Sequence, residues 1–217
     1  MWLLPSRGRR ESCQAALDAF AEHGSTPGVL YVHNSDYGEM RLPDGWIQVN
    51  GSEAQAGQMR WLFDNYPNEP WYGWIADDNR PLTPDFDLEL IKTAGDWNFV
   101  FCNGGGYKTP AEYRKGLPPS IPSAMLWGGE LVRAVGWWAP PWVRHATIDE
   151  HWKYITFNSG RARYRHDVVV NHLHWKHNTR AKDDTDTVWH AVSGHDAGQF
   201  EMMKPALLKL ARELACK

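Results

Sequence analysis

Short apolar runs alternate with amphipathic segments through the first half of the chain. Trp2, Leu3 and Leu4, closed off by Pro5 and Ser6, predict a buried strand running into a loop. Residues 10–23 place Ala15, Ala16, Ala19 and Phe20 at helical spacing, and Gly24 supplies a stop. Residues 28–34 and 46–49 predict a second and a third strand. Ser52, followed by Gln55, has the spacing of a capping box and predicts a helix reaching about Tyr66. A fourth strand over 71–76 breaks off abruptly into Asp77, Asp78, Asn79, Arg80 and Pro81. Thr83 and Pro84 open a helix that runs to Ala94, with proline in its first turn. Residues 98–102 predict a fifth strand.

The second half is less regular. Gly104 to Gly106 and the proline-rich residues 117–122 read as loops. Residues 125–127 predict a strand, 129–135 a short helix and 137–142 a tight aromatic loop. A helix over 148–159, a strand centred on Val169 and a last helix over roughly 200–215 complete the chain. Strands alternating with helices predict an α/β fold in three layers, its mainly parallel sheet covered on both faces. Right-handed crossovers place the C-terminal ends of the strands on one edge, where open α/β sheets bind ligands. Residues 5–10 and 77–80 then share that edge.

The chain has 217 residues and a mass of 24.9 kDa, which predicts one domain. Within it, a regular part over 1–102, a less regular part over 103–190 and a C-terminal helix over 191–217 follow one another. The net charge of −3 argues against a generally basic nucleic-acid coat. Cys13, Cys102 and Cys216 form no CxxC pair and no disulfide framework, which fits a reducing cytoplasm. No apolar run has the length of a membrane span, and the first residues lack the order of a secretory signal. Tryptophan is unusually frequent, at 13. Most of these serve packing, and a few suit stacking against sugars or bases.

Four groups could carry chemistry. Asp77 and Asp78 end an apolar strand, where adjacent carboxylates are unfavourable unless a cation neutralises them. Mg²⁺ takes one or two carboxylates together with substrate phosphates; an Asp-rich turn is the plainer alternative. His172 and His174 would share one face of a strand, with His177 beyond, as metal ligands or as structural histidines. Asp149 and Glu150 open a helix, as dipole complements or as a general base. Ser6, Arg7, Arg9 and Arg10 follow the first strand and suit phosphates. Arg161, Arg163 and Arg165 alternate along one face, as an anion site or as a solvated edge. The chain has no GxxxxGK[ST], no GxGxxG, no GxSxG and no HExxH.

In their order, these features resemble a compact GT-A type glycosyltransferase. The likeness is to family 2-like enzymes, including small phage and actinobacterial members. Pro5-Ser6-Arg7-Gly8-Arg9 resembles the loop after the first strand of that family. Ala76-Asp77-Asp78-Asn79 stands at its DxD position, Trp127-Gly128-Gly129-Glu130 at its Gly-Gly segment, and Ile148-Asp149-Glu150-His151-Trp152 at its acidic base motif. Residues 168–174, with Asp183 and Asp184 beyond, resemble an HxH region. The resemblance implies a GT-A (Rossmann-like) fold and inverting transfer of a sugar from a nucleotide-diphosphate sugar, a UDP-sugar first, to an acceptor hydroxyl. It implies Mn²⁺ or Mg²⁺ held by Asp78 with Asp77 and His174, and a nucleotide held by Pro5, Ser6, Arg7, Arg9, Asp77 and Asp78. It gives Asp149 as base with Glu150 as rival, and Trp137, Trp138, Trp142, Arg163 and Arg165 on the acceptor side. The acceptor implied by the phage members is a hydroxymethylated DNA base. A polysaccharide, glycolipid or protein acceptor is the alternative. Outside this class stand a nucleotidyltransferase using the same acidic pair, and a non-catalytic Trp-rich module binding sugar or nucleic acid.

Overall fold

A computed structural model describes the backbone of all residues except 34–37, 105–123 and 174–183, and side chains are described outside 34–37, 105–123 and 174–192. The strands are β1 (Trp2–Ser6), β2 (Gly28–His33), β3 (Ile47–Gly51), β4 (Trp71–Ile75), β5 (Asn79–Pro81), β6 (Phe99–Asn103), β7 (Ala124–Gly128) and β8 (Ala162–His172). The helices are α1 (Arg10–His23), α2 (Gln55–Asn65), α3 (Phe86–Ala94), α4 (Gly129–Val135), α5 (Ile148–Asn158) and α6 (Asp184–Ala215).

All eight strands join one sheet in the order β3-β2-β1-β4-β7-β6-β8-β5. Only β7 and β5 run against the others, through antiparallel pairings with β4 and β6, and with β8. The remaining strands point the same way, as expected. Residues along each strand alternate between two cores, as the two-residue period of a strand demands. Leu3, Val29, Tyr31, Phe99, Phe101 and Trp127 face the layer of α2, α4, α5 and α6. Trp2, Leu4, Leu30, Val32, Val100 and Leu126 face α1 and α3. Burial on both sheet faces explains why the strands read as unbroken apolar runs.

Three local expectations change. α2 starts at Gln55 behind Ala54, and no side chain caps it, so Ser52 and Gln55 do not form a capping box. β5 falls inside what read as a polar loop, because its pairing partner lies far away on β8. The last helix begins at Asp184, so position 191 is interior to it and marks no boundary. Pro205 lies inside that helix. Gly128 and Gly129 have a packing reason. A Cβ at the first would collide with the Asp96 backbone, and at the second with the Glu69 carbonyl. No helix among the described residues is long and apolar enough to cross a membrane.

Candidate active site at the switch point of the sheet

Strand order reverses direction between β1 and β4, the place where open α/β sheets form a ligand crevice. The β1–β4 ladder is short here, with Trp2 opposite Gly73 and Leu3 opposite Trp74. Pro5 follows, and a proline has no N–H to continue a ladder on that side. It still aligns with Tyr31 on β2. The sheet therefore parts just where Ser6 leaves β1 and Asp77 follows β4. Gly8, at a φ of 65°, turns the chain before α1 begins at Arg10.

The two loops lock together across this crevice. Ser6 Oγ donates to Asp77 Oδ2 at 2.8 Å, and Arg9 Nη1 donates to Asp77 Oδ1 at 3.1 Å. The same Nη1 lies 3.8 Å from Asp78 Oδ2. Ser12 Oγ donates to the Asp77 carbonyl at 2.9 Å, and Arg80 Nη1 donates to it at 3.0 Å. Asn79 closes the turn by accepting the Ala76 N–H on Oδ1 at 2.9 Å. Both carboxylates are buried, at 5% and 4% exposure. Burial raises the Asp77 pKa to about 6, and the neighbouring Asp78 charge adds to this, against Arg9 and Ser6.

From the far side of the sheet, β8 brings His172, whose Nε2 is 3.3 Å from Asp78 Oδ1. The Leu173 N–H donates to the Asp78 carbonyl at 2.9 Å, fixing β8 to the acidic turn. The donor set therefore divides. Both Asp77 oxygens are engaged by Ser6 and Arg9, whereas Asp78 pairs a carboxylate with an imidazole, a combination of oxygen and nitrogen that suits Mn²⁺. Among the described residues, no group of three His, Cys, Asp or Glu side chains is arranged as a metal cage. His174 lies outside the described residues.

Asp149 sits in the first turn of α5 and pairs with Lys153 at 3.2 Å. Glu150 turns instead to a shallow groove with Tyr154, Phe157 and Phe200. Burial, and then Asp149, raises the Glu150 pKa. The tryptophans do not form one wall. Trp138 is completely buried, its ring against Trp127 and Tyr72, so it is a core residue and not an acceptor contact. Trp137 and Trp142 are only partly buried and meet edge to face. The Trp142 Nε1–H donates to His151 Nε2 at 3.1 Å.

The arginine face also departs from expectation. Arg163 and Arg165 lie in the first half of β8, remote in sequence from its His172 end. Arg165 is held by Glu89 at 2.9 Å and Asp167 at 2.7 Å, and Arg163 donates to the Gly160 and Ala162 carbonyls. Arg161 donates to the Leu214 carbonyl and lies over Trp97. These are structural uses. Sequence reasoning put Arg80 on the ligand-binding edge without a role and missed Ser12; both brace the acidic turn. It also missed His145, on which the Arg9 and Arg7 charges act, and Asp196, which anchors the segment carrying it.

Among solved structures, the chain is similar to TarS of S. aureus, at 10% identity and a TM-score of 0.54 over 78% of this chain and 35% of that one. It is also similar to glucosyl-3-phosphoglycerate synthase of Mycobacterium tuberculosis, solved with Mn²⁺, UDP and glucosyl-3-phosphoglycerate. There the identity is 11% and the TM-score 0.52, covering 99% of this chain and 78% of that one. A second structure of that synthase, with Mn²⁺, UDP and phosphoglyceric acid, gives 9% and 0.51 over 99% of this chain and 77% of that one. The chain thus spans about a third of TarS and most of the synthase. No family model and no curated protein matches. The fold is the Rossmann-like α/β architecture that these GT-A glycosyltransferases share.

Proposed function

We propose that the chain is a metal-dependent, inverting glycosyltransferase that takes its sugar from a nucleotide-diphosphate sugar, UDP-linked first. The observation that carries this reading is the buried pair Asp77 and Asp78 at the switch point, one clamped by the β1 loop and the other facing His172. Such an arrangement has little use in a passive binder, because adjacent buried carboxylates repel each other and are costly to desolvate, which a bound cation would offset. The synthase with the same fold binds UDP and Mn²⁺, which supports the donor and metal classes proposed here.

The residues divide the work. Pro5 opens the crevice, and Ser6, Arg7 and Arg9 receive the nucleotide and its phosphates. Asp77 keeps Ser6 and Arg9 in register. Asp78 and His172, with His174, would hold Mn²⁺ or Mg²⁺, which when bound neutralises charge developing on the departing diphosphate. Asp149 accepts the proton of the acceptor hydroxyl as that oxygen attacks the anomeric carbon. The glycosidic bond forms as the bond to the diphosphate breaks, with inversion. Trp137 and Trp142 offer aromatic surface to the acceptor. Arg165 is already held by two carboxylates and lends a DNA backbone no support, so a polysaccharide, glycolipid or protein acceptor is the reading we prefer.

The test is thermal stabilisation and donor hydrolysis with a panel of UDP- and GDP-sugars, in Mn²⁺ and in EDTA. Metal-dependent binding that disappears in Asp78→Ala is the expected result. Stabilisation by no nucleotide sugar under any metal would refute the reading and leave a binding module. Formation of UTP and a sugar 1-phosphate from a UDP-sugar and added pyrophosphate would mark a nucleotidyltransferase.

A further inference from the structure

The segment 139–147 connects α4 to α5 as an irregular loop, yet its backbone is held almost group by group. Arg60 of α2 donates to the Pro140 carbonyl at 2.9 Å and the Val143 carbonyl at 3.1 Å. The Ala56 N–H donates to the Arg144 carbonyl at 3.2 Å. From the opposite side comes Asp196 of α6, with no exposed surface. It accepts three successive N–H groups, from Arg144 at 3.2 Å, His145 at 2.9 Å and Ala146 at 2.7 Å. His195 Nδ1 lies 3.1 Å from the same carboxylate.

Thr147 follows at φ 63° and ψ 7°. A β-branched residue avoids this left-handed region. Its carbonyl pairs with His151 Nδ1 at 2.7 Å, and its hydroxyl donates to the Asp196 carbonyl at 3.4 Å. Such a conformation persists only where the surroundings over-determine it, and such residues cluster at functional sites. Two candidate site residues depend on this segment. His145 is partly buried within reach of the Arg7 and Arg9 charges, and Asp149 begins the helix that Thr147 starts. Burial lowers the His145 pKa to about 4, with Arg9 and Arg7 adding to the effect and Asp196 opposing it. The ring is therefore neutral at physiological pH and can donate one hydrogen bond without adding a third cation.

We propose that Asp196 is a positioning residue. By gathering the 144–146 N–H groups and fixing Thr147, it sets the His145 ring and the start of the helix that carries Asp149 in place for the donor's diphosphate. The choice of ligand rests on the nucleotide-sugar reading above; the positioning of the loop does not.

Asp196→Asn tests both parts, because it keeps the size of the side chain and replaces one accepting oxygen with an NH₂ group that cannot accept. The first readout is the His145 ring titration by NMR, with no ligand present. If the carboxylate holds the loop, the variant frees the ring and its pKa rises toward the ordinary value of about 6.5. If Asp196 acts only as a nearby negative charge, its loss lowers that pKa further. A fall, or no change, overturns the proposal. The second readout is donor hydrolysis with a UDP-sugar and Mn²⁺. Asp196→Asn and His145→Gln should each raise the donor KM about tenfold, and the double variant should match Asp196→Asn within about threefold. Effects that multiply in the double variant overturn it. If Asp196→Asn does not fold, hydrogen exchange on the unaltered protein decides: the 144–146 amides should exchange as slowly as those of α5, and open-loop rates refute the positioning. A protein that binds no nucleotide sugar removes the donor assignment, while the ring titration still decides the role of Asp196.

Discussion

Arg9 is ion-paired with two buried carboxylates, and Arg9→Met removes its charge while keeping much of its apolar stem. At an effective dielectric near 20, Arg9 at 3.1 Å from Asp77 and 3.8 Å from Asp78 gains roughly 5 and 4 kcal/mol. Desolvating the guanidinium offsets several kcal/mol of this. Breaking a buried pair from one side costs about 3–5 kcal/mol, since the partner charge stays behind. Arg9 keeps 12% of its side chain exposed, which points to the lower end, about 3 kcal/mol. For a chain of 217 residues, that is a fall in Tm of roughly 6–12 °C. The assay is thermal unfolding followed by circular dichroism at pH 8, in EDTA and in saturating Mn²⁺. A metal held as proposed would supply positive charge beside Asp78, so the gap between variant and parent should narrow by at least half. Variant and parent melting within about 2 °C of each other in EDTA, or a gap that Mn²⁺ leaves unchanged, would refute the charge balance deduced for the crevice.

Three further outcomes follow. Asp149→Asn should reduce transfer to acceptor by about 10²–10⁴-fold while leaving UDP binding by calorimetry intact; unchanged transfer would exclude it as the base. Trp138→Ala should destabilise by about 3–5 kcal/mol in urea unfolding, without altering donor KM in the folded fraction. Two groups should each weaken the fold in acid. His145, with its pKa depressed to about 4, takes up a proton more readily unfolded, so its contribution is fully present above about 6.5 and is lost as pH drops toward 4. For Asp196, three N–H groups and His195 lower the pKa against burial, so its contribution goes at still lower pH. Urea midpoints from pH 8 to pH 3 on the parent and on His145→Gln isolate the His145 part, because Asp77, raised to about 6, acts in the opposite direction over the same range; a parent-minus-variant difference that stays flat between 6.5 and 4 would contradict the partly buried placement of His145.

Much of the fold was legible because its signals are local. The apolar runs of β1, β2, β4 and β6, and the helical spacing ending at Gly24, need no distant partner to be read. β5 was not legible, since Asn79–Pro81 becomes a strand only through β8. The missed capping box shows the same limit: Ser52 has the right spacing, but the chain approaches α2 through Ala54 in extended conformation. In the site, adjacent carboxylates at a strand end announced themselves by their electrostatic cost. Which aspartate is clamped and which faces a histidine depended on Ser6, Arg9 and His172 meeting in space. Trp138 was misjudged because neighbouring tryptophans in a loop carry no mark of which ring turns inward. Asp196 had no signal at all, being one acidic residue on a long helix whose partners are backbone N–H groups 50 to 52 positions earlier.

The stitching of β5 to β8 has a consequence for how the protein is made. The Val169 N–H donates to Thr83 Oγ1 across 86 positions, beside the ladder that joins Asn79 to His172. A ribosome releases the acidic turn long before the strand that completes it. During synthesis the N-terminal strands can pair and the β1 loop can close on Asp77, but the imidazole facing Asp78 arrives only 94 positions after it. The acidic turn is thus completed well after it is made, and a product cut short before β8 would carry the β1 loop without the finished centre.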